Sequence, residues 1–229
     1  MNNFYKTHKL DFFVAAIIVA VAVVLRFWQL GAIPQSLYWD EVAILIDAKT
    51  IAQTGNDMHG KSWITPLFPS YGDYKLPVYI WLTSVSVMLF GVANWVVRFP
   101  SAIAGVLTVV TGGILARFIL IKLQENDLIK TRKPNLYMLA TMAVIAVSPW
   151  SIIFSRTAFE SHLGQFFVTL SIFLVFLSHF VLKRTKSQFK RFQTEALFIL
   201  SIISGALAIY SYFSVRFVWP VVWGGAILL

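Results

Sequence analysis

The chain has no cysteine, which excludes a disulfide framework, a thiolate nucleophile and a cysteine metal site. Acid is nearly as scarce, with ten Asp and Glu against 19 Lys and Arg in 229 residues and a net charge of +9. Charged residues make up 13% of the chain and hydrophobic residues 58%, where a soluble domain carries about 25% and about 45–50%. That balance excludes an ordinary soluble domain and marks an integral membrane protein. The positive excess does not point to nucleic acid, because Lys and Arg cluster between apolar runs and no basic patch alternates with polar surface. Internal repeats and low-complexity tracts are absent. A small-residue cleavage site is absent too. The apolar run Phe12 to Leu25 follows Lys6, His8 and Lys9 but continues into Arg26 and Phe27, so a retained helix is expected rather than a signal peptide.

What the chain does have is apolar length. Runs occur at Phe12–Leu30, Leu76–Gly91, Phe99–Ile121, Leu136–Phe154, Gln165–Leu182, Ala196–Tyr212 and Phe217–Leu229, and a crossing helix needs about 20 residues. Positive charge falls in three groups: Lys6 and Lys9; Lys122, Lys130, Arg132 and Lys133; Lys183, Arg184, Lys186, Lys190 and Arg191. The positive-inside rule puts all three in the cytoplasm, which demands an even number of crossings between groups. Three runs separate the first two groups, so one does not cross. Leu76–Gly91 is the shortest complete run and carries Pro77, Thr83, Ser84 and Ser86, and an interfacial or re-entrant helix is expected there. The alternative, in which it crosses and the 122–133 loop is external, violates the charge rule.

The expected fold class is therefore all-α: a polytopic helix bundle with a cytoplasmic N-terminus, a long external loop over residues 31–98 and a short external turn at Ser155–His162. Residues 1–229 read as one N-terminal membrane module that stops inside its sixth span. Within the external loop, Asp40 is placed to cap a helix that Gly55 ends. Val42, Leu45, Ile46, Ile51 and Ala52 give that helix an apolar stripe, as for a helix lying on the membrane surface. Thr54 to Tyr74, rich in Gly, Pro, Asn and Asp, reads as loop.

Asp40 and Glu41 are adjacent acids beside lipid, and a juxtamembrane carboxylate is by default a functional candidate. The topology puts Asp40, Glu41, Asp47, Lys75, Arg98, Arg156, Glu160 and His162 on the external face. Acids beside cations at a membrane surface fit chemistry on a lipid-anchored phosphate, with cations holding the phosphate and a carboxylate taking a proton from an attacking hydroxyl. Each residue also has a plainer reading. Asp40 could be only a helix cap, and Glu41 could serve the first-turn dipole. Lys75 and Arg98 could snorkel, and Arg156 and Glu160, four apart, could form an ion pair. Asp47 reads as the solvated side of its helix, and His59 and His162 as surface residues. No metal-ligand spacing is present, and Tyr38 and Trp39 are the aromatics placed to stack on a sugar.

Leu25-Arg26-Phe27, Trp39-Asp40-Glu41, Tyr74-Lys75-Leu76-Pro77, Val97-Arg98-Phe99-Pro100-Ser101-Ala102, Ser148-Pro149 and Ser155-Arg156-Thr157-Ala158 with Glu160 follow one another in order. In this the chain resembles the N-terminal half of a GT-C glycosyltransferase, more narrowly the protein mannosyltransferase and aminoarabinose-transferase group. The resemblance implies a GT-C-like helix bundle in a bacterial plasma membrane with the active site external. It implies inverting sugar transfer from a polyprenyl-phosphate donor to an acceptor hydroxyl, with membrane lipid as partner and no cofactor, the lipid-linked sugar being a substrate. Asp40 would be the catalytic carboxylate with Glu41 beside it, and Lys75, Arg98 and Arg156 would face the lipid phosphate. Glu160 would be the second acidic position, where the family usually has Asp, and Lys75-Leu76-Pro77 stands where Lys-Pro-Pro is common. Two other classes compete: a lipid-linked-sugar transporter, in which Arg26 and Arg117 line a path, and a non-catalytic assembly subunit that uses the external loop to bind a partner. The crossing count makes its own prediction: reporters fused after Gly91 and after Asp127 should give signals from opposite sides of the membrane, and same-side signals would overturn it.

Overall fold

In a computed structural model the chain is described over residues 2–130, 133–183 and 188–228. Arg132, Arg184, Lys186 and Leu229, which entered the sequence reading, lie outside the described residues. The described part is helical apart from one short hairpin. Its elements are α1 (Asn2–Phe27), α2 (Trp39–Thr54), β1 (Phe68–Pro69), β2 (Tyr74–Lys75), α3 (Pro77–Phe90), α4 (Asn94–Glu125), α5 (Pro134–Val147), α6 (Pro149–Ser155), α7 (Glu160–Lys183), α8 (Gln188–Ile209) and α9 (Val215–Leu228).

Among the described residues four stretches are long and apolar enough to cross a membrane: Lys9–Phe27, Asn94–Glu125, Glu160–Phe180 and Phe192–Ile209. This is a helical membrane protein. The expected third span (Leu136–Phe154) is not one straight helix, because α5 and α6 meet at a 59° bend. The cause is local. Pro149 disfavours the helical region for the residue before it, and Ser148 is extended at φ −58°, ψ 121°. The expected interfacial segment forms α3, whose 14 residues extend about 21 Å, short of the hydrocarbon thickness.

Two helix starts differ from expectation. α4 begins at Asn94 rather than Phe99 and carries Pro100 inside it, so Arg98 lies in its second turn instead of opening it. α2 begins at Trp39 with Tyr38 in the cap position, and Glu41 Oε2 accepts from the Tyr38 N–H at 2.9 Å. Asp40 is therefore not the cap. Gly55 does stop the helix, at φ +73° with its N–H on the Ile51 carbonyl. The buried face of α2 is Glu41, Ala43, Ile44, Asp47, Ala48 and Ile51, while Val42 is exposed. The expected stripe was thus rotated, because two acids that find partners inside lie on the inner face. The 54–74 segment is mostly loop, as expected, but ends in the β1–β2 hairpin, with Phe68 opposite Lys75.

One apolar cluster lies where α2, α3, α4 and α7 converge, built on Ile44, Phe68, Tyr79, Ile80, Val97 and Leu163. Further along the bundle, Phe118 stacks on Phe180 at 4.5 Å between ring centres, joining α4 to α7. The α7–α8–α9 contact relies on small polar residues, the usual device inside lipid. Ser204 Oγ donates to the Phe167 carbonyl at 2.8 Å, Ser171 Oγ to the Ser201 carbonyl at 2.7 Å, and the Trp219 indole to Ser171 Oγ at 2.9 Å. Gly105 on α4 marks a close approach to α6 and α1: a Cβ there would lie 2.5 Å from Ser155 Cβ and 2.8 Å from Arg26 Nε. Gly105→Ala should therefore lower stability by about 1–3 kcal/mol, read as a drop in the thermal midpoint of purified protein. An unchanged midpoint would contradict this packing.

Candidate functional site

Three buried arginines frame the end of the bundle that carries α2 and the hairpin, and each is engaged with main-chain oxygen. Arg98 has its five N–H directions filled. Nε and Nη2 donate to Glu41 Oε1 and Oε2 at 2.9 and 3.1 Å, Nη1 to the Leu30 and Pro34 carbonyls at 3.0 and 2.9 Å, and Nη2 also to the Ser36 carbonyl at 2.9 Å. Glu41 Oε1 also accepts from the Ala158 N–H at 2.9 Å, which ties the turn before α7 to α2. Both residues are almost wholly buried. Arg98 does not face a phosphate site, and Glu41 is occupied on both oxygens.

Arg156 also differs from expectation. It does not pair with Glu160. Instead Nη1 donates to the Leu25 carbonyl at 2.9 Å, and Nη2 donates to the Trp28 and Ile33 carbonyls at 2.8 and 2.9 Å, taking up the orphan carbonyls beyond α1. Burial and the nearby Arg98 charge lower its pKa, in that order. Arg26 does the same for α5, donating to the Ile145 and Ala146 carbonyls at 3.0 and 3.1 Å and to Ser151 Oγ at 2.9 Å. It is fully buried among these partners.

The remaining candidates meet in one polar cavity of about 360 Å³, walled by Asp40, Asp73, Lys75, Glu160, Phe154, Phe159, Tyr212 and Phe213 among others. Lys75 is at its centre. Nζ lies 2.6 Å from Asp40 Oδ1, 3.6 Å from Asp73 Oδ2 and 4.0 Å from Glu160 Oε2. The hairpin places it: the Ser70 N–H bonds the Asp73 carbonyl at 2.8 Å across a turn that needs Gly72 at φ +81°, and Lys75 follows on β2. Burial alone would lower the ammonium pKa. The hydrogen bond to Asp40 and the charges of Glu160, Asp40 and Asp73 outweigh it, so its pKa is raised and it stays charged. Glu160 opens α7, and its Oε1 accepts from the Leu76 N–H at 3.2 Å.

Tyr38 and Trp39 are half exposed and meet edge to face, 6.1 Å between ring centres, with Tyr38 6.4 Å from the cavity-wall ring of Phe159. Neither lines the cavity, contrary to the stacking role expected of them. Asp73, Ser211, Tyr212 and Phe213 were not singled out from sequence. Asp73 carried a signal, an acid two residues before Lys75, but the α8–α9 turn carried none. Among the described residues no group of three or more His, Asp or Glu side chains is gathered so as to hold a metal ion.

Two surface assignments fail for polar residues outside this cavity, while His59 is exposed as expected. His162 is buried, with Nδ1 3.0 Å from Ser101 Oγ. Asp47 is buried, its Oδ1 accepting from the Met58 N–H at 2.9 Å and its Oδ2 without a partner. Burial pushes the Asp47 carboxyl up to about 6, with Asp57 adding to the rise and the Met58 N–H opposing it. A raised folded-state value favours the protonated fold, so this contribution is complete below the ordinary value of 3.8 and is lost as pH climbs to about 6. Stability should fall across that window by an amount on the order of 1–3 kcal/mol. Asp47→Asn keeps an acceptor for Met58 and should abolish the fall, leaving the variant more stable than the parent at neutral pH in a melting series. An identical pH profile in the variant would refute the assignment.

Searches against protein-family models, curated proteins and solved structures each returned no match to this chain.

Proposed function

We propose that this chain is an integral-membrane glycosyltransferase of the GT-C kind, or the membrane part of one, that moves a sugar from a polyprenyl-phosphate donor to an acceptor hydroxyl. The observation that carries this is the Lys75 ammonium, nearly buried, held against Asp40 and facing an aromatic-walled cavity near the ends of membrane helices. A catalytic apparatus for this reaction needs three things in one place: a cation for the departing phosphate, a carboxylate for the acceptor proton and a flat apolar wall for the sugar ring. Lys75, Asp40 and the cavity-wall rings of Phe154, Phe159, Tyr212 and Phe213 meet these needs.

The cavity is acidic as it stands, with three carboxylates around one ammonium. Donor phosphate therefore competes with Asp40 for Lys75. Its arrival releases the Asp40 carboxylate at the moment a base is needed. The acceptor oxygen then attacks the anomeric carbon from the face opposite the phosphate, and its proton passes to Asp40. The anomeric carbon–oxygen bond breaks with its electron pair going to the lipid phosphate, which Lys75 receives, and the anomeric configuration inverts. Glu160 holds the Leu76 N–H and keeps Lys75 in register. Arg98, Arg156 and Glu41 act as positioning residues, since each is engaged with carbonyls or with one another.

In membranes supplied with polyprenyl-phosphate sugars, Asp40→Asn should reduce transfer by about 10²–10⁴-fold at an unchanged protein level. Undiminished transfer would remove Asp40 as the base. Arg98→Lys should instead lower the amount of folded protein, leaving activity per folded molecule close to the parent.

A further inference from the structure

The connection between α2 and the hairpin is charged at its ends and apolar in its middle. Asp57, His59 and Lys61 precede and Asp73 follows, but Ser62 to Ser70 carries no charge and includes Trp63, Ile64, Leu67 and Phe68. Phe68 is buried in the core cluster, while Trp63, Ile64 and Leu67 stay exposed, Ile64 at 73%. An exposed apolar run of this kind marks a contact surface.

Its surroundings say what it contacts. Ile64, Thr65 and Pro66 wall a shallow groove together with Trp81 of α3 and Ile203 and Leu207 of α8. α8 is long and apolar enough to cross a membrane over Phe192–Ile209, and at a rise of about 1.5 Å per residue Ile203 lies about 9 Å inside the Ile209 end. The loop is therefore level with the last turns of a crossing helix. On its other side Trp63 meets Trp81 edge to face, 6.0 Å between ring centres, and its carbonyl accepts from the Trp81 indole at 3.0 Å. Val85, Met88 and Leu89 of α3 are exposed, as is Ile203 of α8, so bare apolar side chains stand on both flanks of the run as well as on it.

The backbone of the run suits a place poor in water, where each N–H needs a partner. The Trp63 N–H bonds the Gly55 carbonyl at 3.1 Å, the Ile64 N–H bonds Ser62 Oγ at 3.3 Å and the Leu67 N–H bonds Thr65 Oγ1 at 3.4 Å. Thr65 Oγ1 gives its own hydrogen to the Leu67 carbonyl at 2.9 Å. Pro66 and Pro69 have no N–H to satisfy, and Phe68 pairs with Lys75 in the hairpin.

We infer that residues 63–67 dip into the surface of the bilayer that holds α8, with Trp63, Ile64 and Leu67 among the acyl chains just below the headgroups. The lipid thereby anchors the hairpin that carries Lys75. The apolar stripe expected on α2 pointed to a surface-lying helix; the buried face of α2 turns inward instead, and the loop that follows takes that place. The anchor is independent of the chemistry proposed for the polar cavity.

The chain has no cysteine, so single thiols can be placed and labelled one at a time. Ile64→Cys, Lys49→Cys on the exposed side of α2 and Leu200→Cys on the exposed side of α8 each take a bimane label in the full chain, in nanodiscs of phosphatidylcholine. Lipid brominated on its acyl chains should quench the Ile64 and Leu200 labels at least about twofold and spare the Lys49 label, and aqueous iodide should quench the Lys49 label at least about fivefold more than the Ile64 label. Leu67→Cys should repeat the Ile64 result, which covers the case of an Ile64 variant that fails to fold. A label at 64 that is open to iodide and untouched by brominated lipid overturns the inference. So does one shielded from both quenchers, which would mean that protein covers the run.

Discussion

The end of this bundle that carries α2 and the hairpin depends on one constraint: main-chain carbonyls at broken helix ends, once buried among helices, must find donors. A carbonyl buried without a donor costs about 1–3 kcal/mol. The chain ends α1 at Phe27 and breaks α5 from α6 at Ser148. Each end frees carbonyls, and a buried arginine distant in sequence takes them up: Arg156, just past α6, for α1, and Arg26 of α1 for α5. Arg98 does the same for the connection after α1 and is balanced by Glu41. Removing one partner of such a pair leaves a buried charge unmatched, which is far more costly than the pair itself is favourable.

This constraint also explains why the polar cavity is where it is. Arg98 and Glu41 fix the start of α2, and Glu41 reaches on to the Ala158 N–H just before α7. The adjacent Asp40 is thereby aimed away from that pair and toward Lys75, which the hairpin brings from the far side. Two neighbouring acids thus do different work because successive residues of a helix point about 100° apart. One is locked into the frame, and the other is left at the cavity.

Much of the architecture was legible before any tertiary information. The apolar runs are long, and a membrane enforces its pattern strongly, so four spans, the short α3 and the Gly55 stop were readable, while the bend at Ser148 and the shortness of α9 were not. Boundaries and faces were less so. Asp47 and His162 were read as surface residues because acids and histidines usually are, and hydrophobicity cannot register that the Met58 N–H or Ser101 Oγ awaits them. The rotated face of α2 is the same error seen from the helix.

Composition and periodicity by themselves determined that this is a helical membrane protein with a long polar connection after its first span, because burying so much apolar surface admits little else. They also nominated Asp40, Lys75 and Glu160. Only the tertiary structure decided which charges are spent on the frame and which remain at a cavity. Glu41, Arg98 and Arg156 have the same chemistry as the residues at the site. They differ in what lies within 3 Å of them, and that is set by contacts across as many as 131 residues of sequence, beyond the reach of local pattern.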